Sequence, residues 1–294
     1  MNNFLFARRV NKMAIPFSIA VVAPANRLPK ETADKAASLA EAKYGDRLRV
    51  FFHPQCHFSS GHFAGTDKER SAAFLEVAND PSFDAVWFAR GGYGSCRLDD
   101  ALFGELNRAA HVKTYLGYSD MGFLLGRLAR EGVGNAVHGP MPTDINRKGG
   151  EEALLRALAW LVDRDATALE PHWRAGQPAY AFNLKVLSCL LGTPAEPNFD
   201  GAVIMIEDID EHHYRIDREM FHVMSSANVR RCAGVRMGRF SKIPANDPSF
   251  EKSEREIVNY WCERFGVPFL GDADIGHDGG NKVAPFPIAR PLKA

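Results

Sequence analysis

The sequence predicts an α/β protein whose first half is a parallel sheet with crossover helices. Three observations carry this. Short, continuously apolar runs such as Ala85-Val86-Trp87-Phe88-Ala89 suit strands buried on both faces. These runs alternate with segments of helical periodicity, the pattern of βαβ units. Glycine clusters punctuate the carboxyl ends of the runs, as at Arg90-Gly91-Gly92-Tyr93-Gly94. The chain has 294 residues, and a typical ~150 residues per domain favours two domains over one.

Phe17–Val22 is the first predicted strand, turning at Pro24 and Asn26. Upstream, Arg8, Arg9 and Lys12 precede an apolar run that ends in Ala23-Pro24-Ala25, which imitates a secretory signal peptide. The strand is preferred, because the following text continues an α/β unit. Residues 1–12 are then a loose leader, or an over-long start upstream of Met13. Lys30–Tyr44 has a helical apolar face built on Ala33, Ala36, Ala37, Leu39 and Ala40. Arg49–Phe52 is a short strand. Thr66-Asp67-Lys68-Glu69 is a capping box opening a helix to about Val77. After the strand Ala85–Ala89, another strand, Lys113–Gly117, runs into Ser119 and a helix over Met121–Arg130. Ala136–Val137 ends at His138-Gly139-Pro140, and Glu151–Asp163 is helical.

Residues 14–164 thus form the expected N-terminal α/β domain. Residues 165–179, with Pro171 and Pro178, read as a linker, and 180–294 as the second domain. In that second part, helices are expected at Leu184–Leu191, Tyr214–Arg231 and Glu251–Phe265, and strands at Ala202–Ile206 and Gly234–Met237. Pro268–Leu270 then leads to a glycine-rich end, Gly276–Asn281.

Composition excludes several function classes. Lys+Arg and Asp+Glu are equal at 36 each, so no excess charge drives binding to nucleic acid or to an anionic membrane surface. The longest stretch free of Asp, Glu, Lys and Arg, Val50–Thr66, carries three histidines, a proline and two glycines, which is no membrane span. The five cysteines are scattered without a CxxC pair, as expected of reduced thiols in a cytosolic protein.

In parallel sheets ligands collect at the carboxyl ends of strands. Three groups fall there: Arg90–Gly94, Ser119-Asp120 and His138. Gly117-Tyr118-Ser119-Asp120 joins a strand to a helix in the manner of a nucleophile elbow, with the Asp120 backbone N–H placed for an oxyanion. The fifth residue is Met121 where the hydrolase pattern G-x-S-x-G has glycine, and a helix-capping serine is the plainer alternative. The glycines after Arg90 let a backbone N–H, that of Gly92, approach a ligand as a second oxyanion donor; a plain tight turn explains them equally. Glu207-Asp208 ends an apolar strand, and His277 lies in Gly276-His277-Asp278-Gly279-Gly280. Each alone reads as a surface acid or a loop histidine.

Taken in order, these segments resemble the LD-carboxypeptidases, serine peptidases that trim murein tetrapeptides, with the related microcin-immunity hydrolases. The matching text is Val21-Val22-Ala23-Pro24-Ala25, Ala89–Gly94, Gly117–Asp120, His138-Gly139-Pro140, Glu207-Asp208 with Tyr214–Arg218, and Gly276-His277. The resemblance implies a triad of Ser119 as nucleophile, His277 as general base and Glu207 orienting the imidazole. It implies a doubly wound, mostly parallel N-terminal sheet, a smaller mixed α/β C-terminal domain, and an active site in the cleft between them. The implied substrate is L-Ala–γ-D-Glu–meso-diaminopimelate–D-Ala, cleaved in the cytoplasm without metal or cofactor, and a homodimer is expected. The same triad acting on a peptidyl-nucleotide, or a non-catalytic ligand binder, are the rival readings. One departure stands out. The family has Gly-Gly-Asn-Leu where this chain has Ala181-Phe182-Asn183-Leu184, a loop expected to border the substrate cleft.

Two further features have competing explanations. Arg90 suits either a peptide's terminal carboxylate or a buried acid that braces its loop, the latter preferred. His53, His57 and His62 have a spacing that can hold metal on a helix, but Pro54 and Ser59-Ser60-Gly61 break any helix, which favours loop histidines.

Overall fold

The computed structural model describes residues 15–288. The leader expected at residues 1–12, and the choice between Met1 and Met13, lie outside the described residues.

The first half contains β1 (Phe17–Val22), α1 (Lys30–Tyr44), β2 (Leu48–Phe52), α2 (Asp67–Asn79), β3 (Ala85–Phe88), β4 (Thr114–Gly117), α3 (Gly122–Glu131), β5 (Asn135–His138) and α4 (Gly150–Leu158). The second contains β6 (Ala179–Asn183), α5 (Leu184–Leu190), β7 (Val203–Ile209), α6 (His213–Ser225), β8 (Gly234–Ser241), α7 (Glu254–Phe265), β9 (Phe269–Asp272) and β10 (Ala284–Pro285). The first sheet has the order β10-β5-β4-β3-β1-β2, and the second β6-β7-β8-β9. All pairings are parallel except β10 on β5.

Period-two alternation builds two cores around the first sheet. Ile19, Val21, Trp87 and Leu116 face one side with Ala33 of α1 and Leu154 and Leu158 of α4. Ala20, Val22, Phe88 and Tyr115 face the other, against Phe74 of α2 and Leu125 and Leu128 of α3. That second core runs on into the second sheet through Phe182, Ile204 and Ile206. Each large apolar side chain so buried contributes about 1.5–3 kcal/mol. The Thr66 capping box forms as expected: Glu69 N–H donates to Thr66 Oγ1 at 3.2 Å, and Thr66 N–H to Glu69 Oε2 at 2.7 Å.

Several local expectations are revised. Ala181-Phe182-Asn183 is not a loop but the C-terminal end of β6. β7 runs past Ile206 through Glu207 and Asp208, with a register irregularity at that point, so both acids lie within the strand. The helix expected over Tyr214–Arg231 ends at Ser225 and resumes as a 3₁₀ turn at Val229–Arg231. The expected linker, residues 165–179, packs along the C-terminal segment, where Leu169 bridges Val283 and Glu170 is buried.

The strand order places the site. β3 and β4 are neighbours, so the glycine loop after β3 and the Ser119 turn after β4 lie side by side at the carboxyl ends of the strands. β10 returns to pair Ala284 with His138, and this brings the preceding Gly276–Asn281 turn over the end of β5.

Candidate active site

Tyr118 leaves β4 extended, and Ser119 adopts φ 61°, a left-handed conformation that a residue with a Cβ rarely takes. A 3₁₀ turn, Ser119–Met121, then leads into α3. The sharp reversal lifts the Ser119 hydroxyl off the sheet, which is the purpose of an elbow. Gly91 makes this possible from the neighbouring strand end: a Cβ there would stand 3.0 Å from Ser119 Cβ and 3.1 Å from its Oγ. Gly92 has φ 106° and lines the cleft beside Ser119 and Asp120.

Ser119 Oγ lies 2.9 Å from His277 Nε2, and His277 Nδ1 lies 2.6 Å from Glu207 Oε2. Glu207 is fully buried. The Nδ1–H donates to the carboxylate, so the Nε2 lone pair faces the serine hydroxyl. Burial lowers the pKa of the imidazole, but the charge and hydrogen bond of Glu207 outweigh it, leaving the group above its ordinary value.

Asp120 ties the turn to its neighbouring loop. Its buried carboxylate accepts from Ser95 N–H at 2.9 Å, and Ser95 Oγ donates to its carbonyl at 2.6 Å. The Gly91–Ser95 loop is thereby tied to the elbow, and burial raises the Asp120 pKa. Asp208, behind Glu207 on β7, accepts from Asn183 Nδ2 at 2.7 Å and Ile209 N–H at 2.8 Å. Burial, then the adjacent Glu207 charge, push its carboxyl up to about 7.

The site opens onto a cleft of about 570 Å³. Tyr93, Phe103 and Phe123 supply apolar wall, and Arg127, Lys185 and Glu211 supply charge of both signs.

Other sequence candidates fall elsewhere. His138 Nε2–H donates to Asn281 Oδ1 at 3.0 Å, and burial lowers its pKa; it braces the His277 turn from β5. Arg90 pairs with no acid among the described residues; its guanidinium reaches the Arg27 carbonyl at 3.5 Å. The loop is held instead by the fully buried Arg70, which donates to the Pro24 and Gly94 carbonyls and pairs with Asp67. Of the Ala181–Leu184 segment, Asn183 lines the cleft as expected, whereas Phe182 does not: it is buried against Tyr180, Phe199 and Phe286. His53, His57 and His62 turn to Glu76, the Leu28 carbonyl and the Phe63–Tyr93 rings. Among the described residues no three His, Cys, Asp or Glu side chains converge as a metal site. Nor is any helix among them long and apolar enough to cross a membrane.

A serine, an imidazole and a carboxylate in hydrogen-bonded sequence, set at strand ends of an α/β fold, is the arrangement of the serine hydrolases. Within that class, the chain belongs to the LD-carboxypeptidase family: residues 19–139 match its N-terminal domain and residues 180–291 its C-terminal domain. A Synechocystis sp. chain carrying a carboxypeptidase designation is 32% identical over 243 residues, 80% of this chain and 78% of that one. The murein tetrapeptide carboxypeptidase of Pseudomonas aeruginosa is 25% identical over 91% of this chain and 90% of its own. The muramoyltetrapeptide carboxypeptidase from Oxalobacter formigenes shares the fold, with a TM-score of 0.76, 23% identity and 92% of each chain covered. The microcin C7 self-immunity protein MccF, solved with aspartyl sulfamoyl adenosine, shares it at a TM-score of 0.72 and 15% identity, over 93% of this chain and 92% of its own.

Proposed function

We propose that this chain is a metal-independent serine carboxypeptidase that releases terminal D-Ala from murein tetrapeptide in peptidoglycan recycling. The observation that carries this is the hydrogen-bonded line from Ser119 through His277 to Glu207, at the cleft of an LD-carboxypeptidase family member.

Ser119 Oγ attacks the carbonyl carbon of the L,D-amide while His277 Nε2 takes its proton. The backbone N–H groups of Gly92 and Asp120 receive the oxyanion, and buried Glu207 stabilises the imidazolium. His277 returns the proton to the leaving D-Ala nitrogen, giving an acyl-enzyme on Ser119. Water, deprotonated by His277, then releases the shortened peptide and restores the hydroxyl. The cycle is complete without metal or cofactor. Charges of both signs along the cleft suit a short peptide bearing carboxylates and an amine. The proposed setting is the cytoplasm, and the proposed assembly a homodimer, which light scattering on the purified protein checks.

The fold shared with MccF favours one second reading, the same triad acting on a peptidyl-nucleotide amide. Turnover decides between them. D-Ala release from murein tetrapeptide is the expected result; hydrolysis of an aminoacyl sulfamoyl nucleoside alone would select the second reading. A chain that turns over neither, and shows no mass shift at Ser119 with an acylating reagent, is a ligand binder.

A further inference from the structure

The His277 turn is held from the opposite sheet by a chain of contacts that begins one residue before the nucleophile. Tyr118 is buried, and its hydroxyl donates to Asp144 Oδ1 at 2.8 Å. Arg147 Nε forms an ion pair with the same carboxylate oxygen at 2.9 Å, and the other, Oδ2, accepts from Met141 N–H at 2.8 Å. Arg147 Nη1 donates to the backbone carbonyl of His277. The Tyr118 and His277 rings meet with centroids 4.9 Å apart. With the Ser119–His277 hydrogen bond, these contacts close a ring: Ser119, Tyr118, Asp144, Arg147, His277 and back to Ser119.

We propose that Asp144 and Arg147 are positioning residues that lock the His277 base to the nucleophile elbow across the two sheets. The assignment rests on the serine-hydrolase reading of Ser119 and His277 above. Asp144 and Arg147 sit in and just after a 3₁₀ turn, Pro142–Asn146, that follows β5, so they move with the first sheet. His277 follows β9 of the second sheet. Without the ring, the distance from base to nucleophile rests only on contacts farther along the turn, at Asn281 and in the β10–β5 pairing. Holding the His277 carbonyl and packing its ring at a tilt of 53° against Tyr118 fixes both the height and the tilt of the imidazole. Displacing a reacting group by about 1 Å costs on the order of 100-fold in rate, so such bracing is worth its burial. Neighbouring Arg156 holds the same turn lower down, at the Gly279 and Asn281 carbonyls, without any link to the elbow.

The test uses a fluorophosphonate, whose reaction with Ser119 needs His277 but no particular peptide. Arg147→Met is expected to slow labelling of Ser119 by about 10- to 100-fold. The groups facing His277 are Glu207 from β7, His138 from β5, Tyr118, and the Asp144–Arg147 pair, with Asp278 on its own turn held by Arg239 from β8. Removing the Arg147 cation should move the midpoint of the labelling pH profile upward, because that charge opposes the imidazolium. Asp144→Asn should move it downward while also slowing labelling. Opposite shifts from two neighbours are not produced by simple loosening of the fold. Should Arg147→Met fail to fold, Arg147→Lys, which keeps the charge and loses the two-point grip, should label slowly with the parent's midpoint. Parent-like rates and midpoints in these variants, with Ser119 labelled in the parent, would overturn the positioning role alone. A parent not labelled at Ser119 would overturn the hydrolase reading and this inference with it.

Discussion

Ser119 Oγ and His277 Nε2 meet at 2.9 Å although 158 residues separate them in the chain. Nothing local brings them together. Ser119 is presented by the turn after β4, and His277 by a turn that reaches the first sheet because β10 pairs with β5. The hydrogen bond therefore reports the seating of one half of the molecule on the other.

Ser119→Ala should lower turnover of murein tetrapeptide by on the order of 10⁴- to 10⁶-fold, with the protein still folded. Glu207→Gln and His277→Ala should be strongly impaired, and either combined with Ser119→Ala should lose little more, because the three act as a unit. Steady-state kinetics on the single and double variants checks this, and near-parent activity in Ser119→Ala would end the serine-peptidase proposal.

The pH profile should report the perturbed imidazole. His277 must be neutral to accept the serine proton, and its pKa stands above the ordinary 6.5. The acid limb of kcat/KM should accordingly have its midpoint above 6.5, with activity rising as the imidazolium deprotonates. The imidazolium–Glu207 pair also stabilises the fold fully below pH 6.5, and that contribution is lost as pH rises through the higher folded-state value. Residual activity in Glu207→Gln should show the limb displaced to lower pH.

Prolonged incubation with EDTA, followed by gel filtration, should leave carboxypeptidase activity intact. Activity lost to the chelator and restored by zinc would instead direct attention to ligands outside the proposed triad.

Asp208 makes the fold pH-sensitive in the opposite sense from an ion-paired carboxylate. Its carboxyl titrates at about 7 when folded and 3.8 ordinarily, so the folded state keeps the proton longer than the unfolded state does. Its contribution to stability falls as pH rises from about 4 to about 7. Asp208→Asn cannot ionise, so its stability relative to the parent should improve steadily over that range in urea titrations. A difference that does not vary with pH would show that folding leaves the Asp208 pKa unshifted.

Phe182→Ala should cost about 3–5 kcal/mol of stability, the usual loss for a buried phenylalanine. KM for the peptide should change little, because the ring packs between the sheets on Tyr180, Phe199 and Phe286. A large rise in KM with unchanged stability would return Phe182 to the cleft.

Much of the first sheet was legible because its strands are buried on both faces and therefore read as unbroken apolar runs. Ala85–Phe88 and Phe17–Val22 could be read almost to the residue. β6 was not legible: Tyr180-Ala181-Phe182-Asn183 is short and ends in an Asn that caps α5, accepting from Val186 N–H at 3.1 Å, so its sequence resembles a helix-entry loop. β10 is two residues long and contains Pro285, and it is a strand only because β5 offers it an edge. Arg70 gave no signal either, since it sits on a helix among charged residues and its burial follows from the loops that fold over it.

Local sequence was enough to determine the parallel sheet, the Thr66 cap and the strand-turn-helix around Ser119, since periodicity, capping and turn chemistry act over a few residues. The ordered family motifs singled out Ser119, Glu207 and His277. The tertiary structure alone decided that these three side chains meet, that Phe182 fills the interior while the cleft opens elsewhere, and that Arg70 rather than Arg90 braces the glycine loop. It alone joined Tyr118 to His277 through Asp144 and Arg147. Each of those outcomes depends on which distant surfaces are buried together, and burial across more than a hundred residues leaves no periodic mark in the chain.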